Sequence, residues 1–292
     1  MYRRLAFLTI FTALIFVAAH SQDVTVSKTV KEIAPGVFFW QGDHITKMPA
    51  NCTWIVFKDY VLVVDANFLV AAKEIIPLIR KTTDKPIRFL FDTHWHADHT
   101  TANILYREAG AAILCSSACA DDMRAKVAPG RVSPEPPTLS FDNRMVFDDG
   151  THRVEISLQG PAHSRGDAVA YLPKEQILIS GDLCVNWNWG NNVGDVDANL
   201  DHWIQVLDEM AKWKIKIVVP GHGSLANVET LRGQRAYLAD MLDKVRRGIQ
   251  AGKTADQLVQ EIDLSRHGSF GAGIAENGGS IRALYRKLSA AH

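Results

Sequence analysis

The chain has 292 residues, of which 47% are hydrophobic and 22% charged, with 32 Lys and Arg against 32 Asp and Glu. These proportions belong to a protein that buries a core, and they exclude a disordered, collagen-like or coiled-coil chain. The balanced charge gives no basic excess to neutralise a run of phosphates, which argues against nucleic acid as the main partner and in favour of a small-molecule substrate.

The chain opens with Tyr2-Arg3-Arg4, an uncharged apolar run from Leu5 to Ala19, and small residues at Ala19 and Ser21. That order predicts a secretory signal peptide over residues 1–21, since the run is too short for a mature transmembrane helix. Removing it leaves 271 residues with a net charge of −2 and no later stretch that could span a bilayer. A periplasmic or secreted location follows, and there Cys52, Cys115, Cys119 and Cys184 are expected to form one disulfide or none. Residues 22–292 read as a single domain with a C-terminal helical extension over about 253–292.

Short apolar or β-branched runs predict strands at Val37–Trp40, Thr53–Phe57 and Val61–Val64, the last two as a hairpin around Lys58-Asp59-Tyr60. A helix follows over Val70–Lys81 despite Pro77, then a buried strand at Ile87–Phe91, a helix at Ala102–Glu108 and a strand at Ala111–Leu114. Pro129, Pro134, Pro136 and Pro137 make a stiff loop near the middle of the chain. The order then repeats, with strands at Val154–Leu158, Ala168–Leu172, Gln176–Ile179 and Ile215–Val219. Asp197 or Asn199 caps a helix whose Leu200, Trp203, Ile204, Leu207 and Met210 share a face. Leu231, Leu238, Met241, Leu242, Val245 and Ile249 mark a long amphipathic helix, and the glycine-rich stretch from Arg266 to Gly273 links it to a last helix at Ser280–Ala290. Strands followed by helices, twice over, predict an α/β (α+β) protein with two packed sheets and helices outside.

Eleven histidines against four cysteines is the unusual count. His94-Trp95-His96-Ala97-Asp98-His99 directly follows the strand Ile87–Phe91, placing four ligand-type side chains within six positions. In an extended backbone His94 and His96 project the same way, which suits one cation, while Asp98 and His99 lie past the turn and can face a second. Downstream, His163, Asp182 and His222 each follow an apolar strand and have a glycine close by that lets the chain turn sharply. Imidazole and carboxylate donors without thiolate suit Zn²⁺ and remain compatible with Mn²⁺ or iron. Cys184-Val185-Asn186-Trp187-Asn188-Trp189 follows Asp182, and Trp187 and Trp189 with Trp95 are expected to line an apolar entrance, with Asn186 as a donor to a substrate oxygen. His44, His152, His202 and His267 stand outside the pattern and are expected at the surface.

The order His94-x-His96-x-Asp98-His99, then His163, Asp182 and His222, resembles the metallo-β-lactamase-fold hydrolases from about Val24 to Ala251. The resemblance implies a four-layer αββα sandwich of two similar halves. It implies two Zn²⁺ per chain, one held by His94, His96 and His163 and the other by Asp98, His99 and His222, with Asp182 bridging. Asp65 resembles the family's aspartate that supports these ligands from behind, and Asp98 would be catalytic, passing protons as well as ligating. Two cations sharing one water lower its pKa from ~15.7 to about 7, so that hydroxide attacks a carbonyl and no serine or cysteine nucleophile is needed. True metallo-β-lactamases carry Cys or Ser where Asp182 stands, and redox members of the family carry Glu where His96 stands. Asp182 is similar to the residue in glyoxalase II and lactonases, so an ester, thioester or lactone is expected, with a β-lactam as the alternative. A mononuclear-iron dioxygenase on the same fold is the alternative from another class.

Overall fold

The computed structural model describes residues 30–43, 50–126, 134–187, 193–194, 197–271 and 274–290. The predicted signal peptide, His44, Asn188 and Trp189 lie outside them. Seven strands form the first sheet in sequence order: β1 (Val30–Ala34), β2 (Val37–Trp40), β3 (Cys52–Val56), β4 (Val61–Val64), β5 (Ile87–Phe91), β6 (Ala112–Ser116) and β7 (Leu139–Phe141). The first four are antiparallel neighbours, and β4 through β7 run parallel. Their crossovers carry α1 (Leu69–Thr82), α2 (Ala97–Thr100), α3 (Asn103–Glu108) and α4 (Ser117–Ala125). The second sheet is ordered β12-β11-β10-β9-β8, from β8 (Arg144–Asp148), β9 (Arg153–Leu158), β10 (Ala168–Leu172), β11 (Ile177–Gly181) and β12 (Ile217–Pro220). After β11 come α5 (Leu200–Met210), α6 (Val228–Gln250), α7 (Ala255–Glu261), a 3₁₀ turn at Ser265–Phe270 and α8 (Ile274–Ser289).

Alternation along the strands sorts the side chains into layers, because successive residues point to opposite faces. In β4, Val61 and Val63 pack outward with Ala72, Ile75 and Ile79 of α1. Leu62 and Val64 point inward to Ile156, Ala170, Ile177 and Ile179 of the other sheet. On the far side, Val169, Leu178 and Val218 pack against Trp203 and Leu207 of α5 and Leu238 and Met241 of α6. The result is helix, sheet, sheet, helix, with a core in each of the three gaps, and these strands are apolar on both faces because both are covered.

Several elements depart from the expectation. The edge strands β1, β7 and β8 have half-exposed patterns too weak to stand out in sequence. Helix α4 lacks a long apolar stripe, and it starts where the Ser116 side chain accepts the backbone N–H of Cys119 at 3.1 Å. The last helix begins at Ile274, six residues before the predicted Ser280. It runs through Gly278-Gly279, and a Cβ at Gly278 would lie 3.2 Å from Val259 of α7, so tertiary packing holds a segment that propensity disfavours. His152 is buried, against the surface position expected for it, and pairs at 2.8 Å with Glu175.

Candidate metal centre

Strand direction gathers the ligands. Strands β4 and β5 are parallel, as are β11 and β12, and β9 runs with β11 because each is antiparallel to β10. Asp65, the His94–His99 segment, His163, Asp182 and His222 each follow the C-terminal end of one of these five strands. Two backbone bonds join the sheets at this edge, from Ala168 N to Thr93 O at 2.9 Å and from Asn51 N to Gly221 O at 2.7 Å.

Two groups result: His94, His96, His163 and Asp182, and Asp98, His99 and His222, with the donor atoms of each group within 4.8 Å of one another. His163 Nε2 lies 3.0 Å from His96 Nδ1, and His99 Nε2 lies 3.4 Å from His222 Nε2. Asp182 faces both groups. Its Oδ2 is 3.5 Å from His163 Nε2 and 3.9 Å from His94 Nε2, while its Oδ1 is 3.2 Å from His222 Nε2 and 3.4 Å from His99 Nε2. Asp98 Oδ2 adds to the second group at 3.3 Å from His222 Nε2. Two glycines permit this closeness. A Cβ at Gly221 would sit 2.0 Å from Asp182 Oδ1, and Gly181, at φ +51°, would press one to 2.5 Å from Thr93 Oγ1.

Asp65 orients the first-half ligands. Its Oδ1 accepts the Thr93 N–H at 2.8 Å, and its Oδ2 faces the Thr93 hydroxyl at 3.0 Å and His99 Nδ1 at 2.9 Å. A carboxylate only accepts, so Thr93 and His99 donate to it. With its proton committed there, Thr93 Oγ1 accepts from His94 Nδ1 at 3.1 Å, which leaves the His94 Nε2 lone pair turned into the site. That buried Nε2 has no hydrogen-bond partner among the described residues. Burial, reinforced by the neighbouring histidines, pushes the His94 pKa well below the ordinary value, so the ring is neutral and suited to ligate a cation. At His99 burial works against charge, but Asp65, Asp182 and Asp98 outweigh it and raise the pKa well above normal. Burial also opposes ionisation of Asp182, yet His222 and His99 hold its pKa well below the carboxylate range. A lone pair aimed at nothing and carboxylates that draw positive charge onto His99 together fit a pair of divalent cations.

The metallo-beta-lactamase superfamily model matches residues 45–222, more than half of the chain. The chain belongs to this superfamily. Metallo-beta-lactamase type 2 of Bacillus sp. strain 170 is 30% identical over 173 residues, covering 58% of this chain and 63% of that protein. Linear primary-alkylsulfatase of a Pseudomonas species is 23% identical over 249 residues, covering 67% of this chain and 46% of that protein. The chain therefore spans less than two thirds of the length of these relatives. A metallo-beta-lactamase from Pontibacter korlensis shares the fold with a TM-score of 0.63 at 22% identity, over 72% of this chain and 98% of that one. The two sheets and their flanking helices are thus the metallo-β-lactamase fold, and members of this superfamily are hydrolases.

Outside the superfamily's ligand pattern the expected pocket residues divide. Trp95 lies beside His96, at 4.7 Å between ring centroids, and rests on Cys115, Cys119 and Met123 with the Lys126 ammonium over its ring. Trp187 stacks on His222 and is half-buried against the second-half core. Asn186 has its amide engaged within the chain. Its side-chain amide donates to Ser224 O and Ser224 Oγ at 3.0 Å, so it ties down the turn after His222 where a free donor to a substrate oxygen was expected. Residues not singled out in the sequence also hold the site. Besides Thr93, Asn51 donates to Pro220 O at 2.8 Å and Gly223 O at 2.9 Å. Asp167, with its pKa raised by burial to about 7, accepts the Ser164 hydroxyl at 2.6 Å and shapes the loop bearing His163. Only Asp167 had a local signal, in its Ser-x-x-Asp spacing.

Proposed function

We propose that the chain is an exported dinuclear zinc hydrolase acting on the carbonyl of an ester, thioester or lactone. The observation that carries this reading is Asp182, which turns one carboxylate oxygen to each ligand group. In that position it would bridge two Zn²⁺, with His94, His96 and His163 to hold one and Asp98, His99 and His222 the other. When bound, such a pair polarises a carbonyl oxygen and lowers the pKa of water to about 7. The chain's own part is to place substrate and move protons. His96 and Asp98 are the partly exposed members of the two groups, so the site opens on their side, with Trp95 beside His96 and Trp187 stacked on His222. Asp98 is the proton carrier, because its carboxylate is the ligand on that open side. Cys184, two residues from Asp182, is fully buried and its thiol pKa is pushed up by burial, which leaves it no part as a nucleophile.

The Bacillus relatives named metallo-beta-lactamase type 2 support a second reading, hydrolysis of a β-lactam. A spectrophotometric panel of zinc-loaded protein with an ester, a thioester, a lactone and nitrocefin separates the two. The expected result is faster turnover of an ester-type substrate than of nitrocefin; the reverse order selects the β-lactam reading. His96→Ala and Asp182→Ala each lower kcat/KM by about 10³-fold or more, since a ligand's loss removes several kcal/mol of transition-state stabilisation. Wild-type activity in either variant would place the chemistry elsewhere. The chain should be recovered from the periplasm or medium with Gln22 as its first residue, and recovery from the cytoplasm alone with Met1 retained would overturn the export.

A further inference from the structure

The imidazoles of the two groups are not held alike. His94 has its outer nitrogen, Nδ1, on Thr93 Oγ1, and His99 has its own on Asp65 Oδ2. Such outer hydrogen bonds fix ring orientation and raise ligand basicity. The outer nitrogen of His222 is different: Nδ1 is buried and has no hydrogen-bond partner among the described residues. What the ring has instead is an indole. Trp187 lies against it with 4.3 Å between centroids and 19° between planes, a face-to-face stack.

That stack is built in by the backbone. Asn186 N donates to His222 O at 2.9 Å, Asn186 bridges Gly223, and the Asn186 amide donates to the Ser224 carbonyl and hydroxyl. Residues 186 and 222–224 therefore form one stitched unit, and Trp187 is carried onto the imidazole by its neighbour. The indole fixes the plane of the ring. Within that plane, Nε2 is directed by Asp182 Oδ1 at 3.2 Å and Asp98 Oδ2 at 3.3 Å. A cation on Nε2 draws electron density from the imidazole, and an electron-rich indole face compensates an electron-poor ring stacked on it.

The geometry points to Trp187 as the positioning residue for His222, replacing the missing outer hydrogen bond and setting how tightly the Asp98, His99 and His222 group holds its metal. This rests on the dinuclear reading above, and it makes the second group the one that fills last and depends on an aromatic ring. Two substitutions separate stacking from simple packing. Trp187→Phe keeps a ring over His222, while Trp187→Leu keeps apolar bulk against the core and removes the ring.

The test is zinc titration of the chelator-treated full chain against a competing chromophoric chelator, with circular dichroism to follow the fold. Wild type is expected to bind two zinc ions in distinguishable steps. Trp187→Leu should weaken the second step by about ten- to a hundredfold, the range for losing an outer support of a ligand, and leave the first unchanged. Trp187→Phe should recover most of the loss. Tryptophan emission offers an independent readout, because the signal that accompanies the second equivalent in wild type should be absent from Trp187→Phe. Two steps of wild-type affinity in Trp187→Leu would overturn the role of Trp187. Failure of the dinuclear reading is distinct: wild type itself would then bind one zinc ion or none.

Discussion

Asp65 touches neither ligand group's open side, yet it decides which nitrogen of two ligands carries a proton. It is buried behind Thr93, His94 and His99, in the left-handed region at φ 63°. That conformation is uncommon for a residue other than glycine, and here it turns the chain off β4 so that both carboxylate oxygens face the next strand's end. Asp65→Asn keeps the shape but puts a donor where two donors already point. Zinc affinity is expected to fall by about ten- to a hundredfold in chelator competition, and an unchanged affinity would reduce Asp65 to a strand-end turn. Gly221 shows the opposite economy, since its value lies in the side chain it lacks beside Asp182.

At the scale of elements, parallel strands bring the loops together and the helices behind hold them still. Gln234 of α6, fully buried, accepts the Val185 N–H at 2.9 Å and donates to Leu183 O at 2.6 Å, and Trp203 of α5 donates to the same carbonyl at 3.0 Å. The loop after Asp182 is thereby fastened to both helices of the second half. Gln234→Ala strands a buried N–H, which costs about 1–3 kcal/mol. For a protein of this size that lowers Tm by roughly 2–10 °C in calorimetry. A Tm within 1 °C of wild type would show that the loop is held by its own turn. The C-terminal helices brace the same region from farther out: Lys287 of α8 donates to Ala198 O, and Asn199 N donates to Ala162 O, next to His163.

Across the whole molecule the candidate centre is a junction between halves. His94, His96, Asp98 and His99 follow the first sheet, and His163, Asp182 and His222 belong to the second. A cation shared between them would bind only the assembled state and would stabilise the fold by mass action, by about 2.7 kcal/mol at a hundredfold excess over Kd. Chelation should therefore lower the Tm of wild type by roughly 5–10 °C. The same treatment should barely move Asp182→Ala, which lacks the one carboxylate that faces both groups. An equal shift in both proteins would mean the stabilising metal sits elsewhere.

The sequence by itself determined what is local. An apolar strand followed by four donors in six positions makes His94, His96, Asp98 and His99 legible, and a glycine near a strand end makes His163, Asp182 and His222 candidates. Both signals are carried by neighbours in the chain, as are the buried strands and the capped helix at Asn199, whose side chain accepts from His202 N. What only the tertiary structure decided depends on partners far away in sequence. Asn186 reads as a free donor until Ser224 takes its amide, and His152 reads as a surface residue until Glu175 is folded against it. Trp203 reads as a member of a helix face, and Gln234 carries no signal of its own, until both meet Leu183 O. A hydrogen bond or a ring stack is set by distance and angle between groups tens of residues apart, and no local pattern encodes that meeting. The Trp187 stack on His222 is of the same kind, made by two strand-end loops that only the packed sheet brings together.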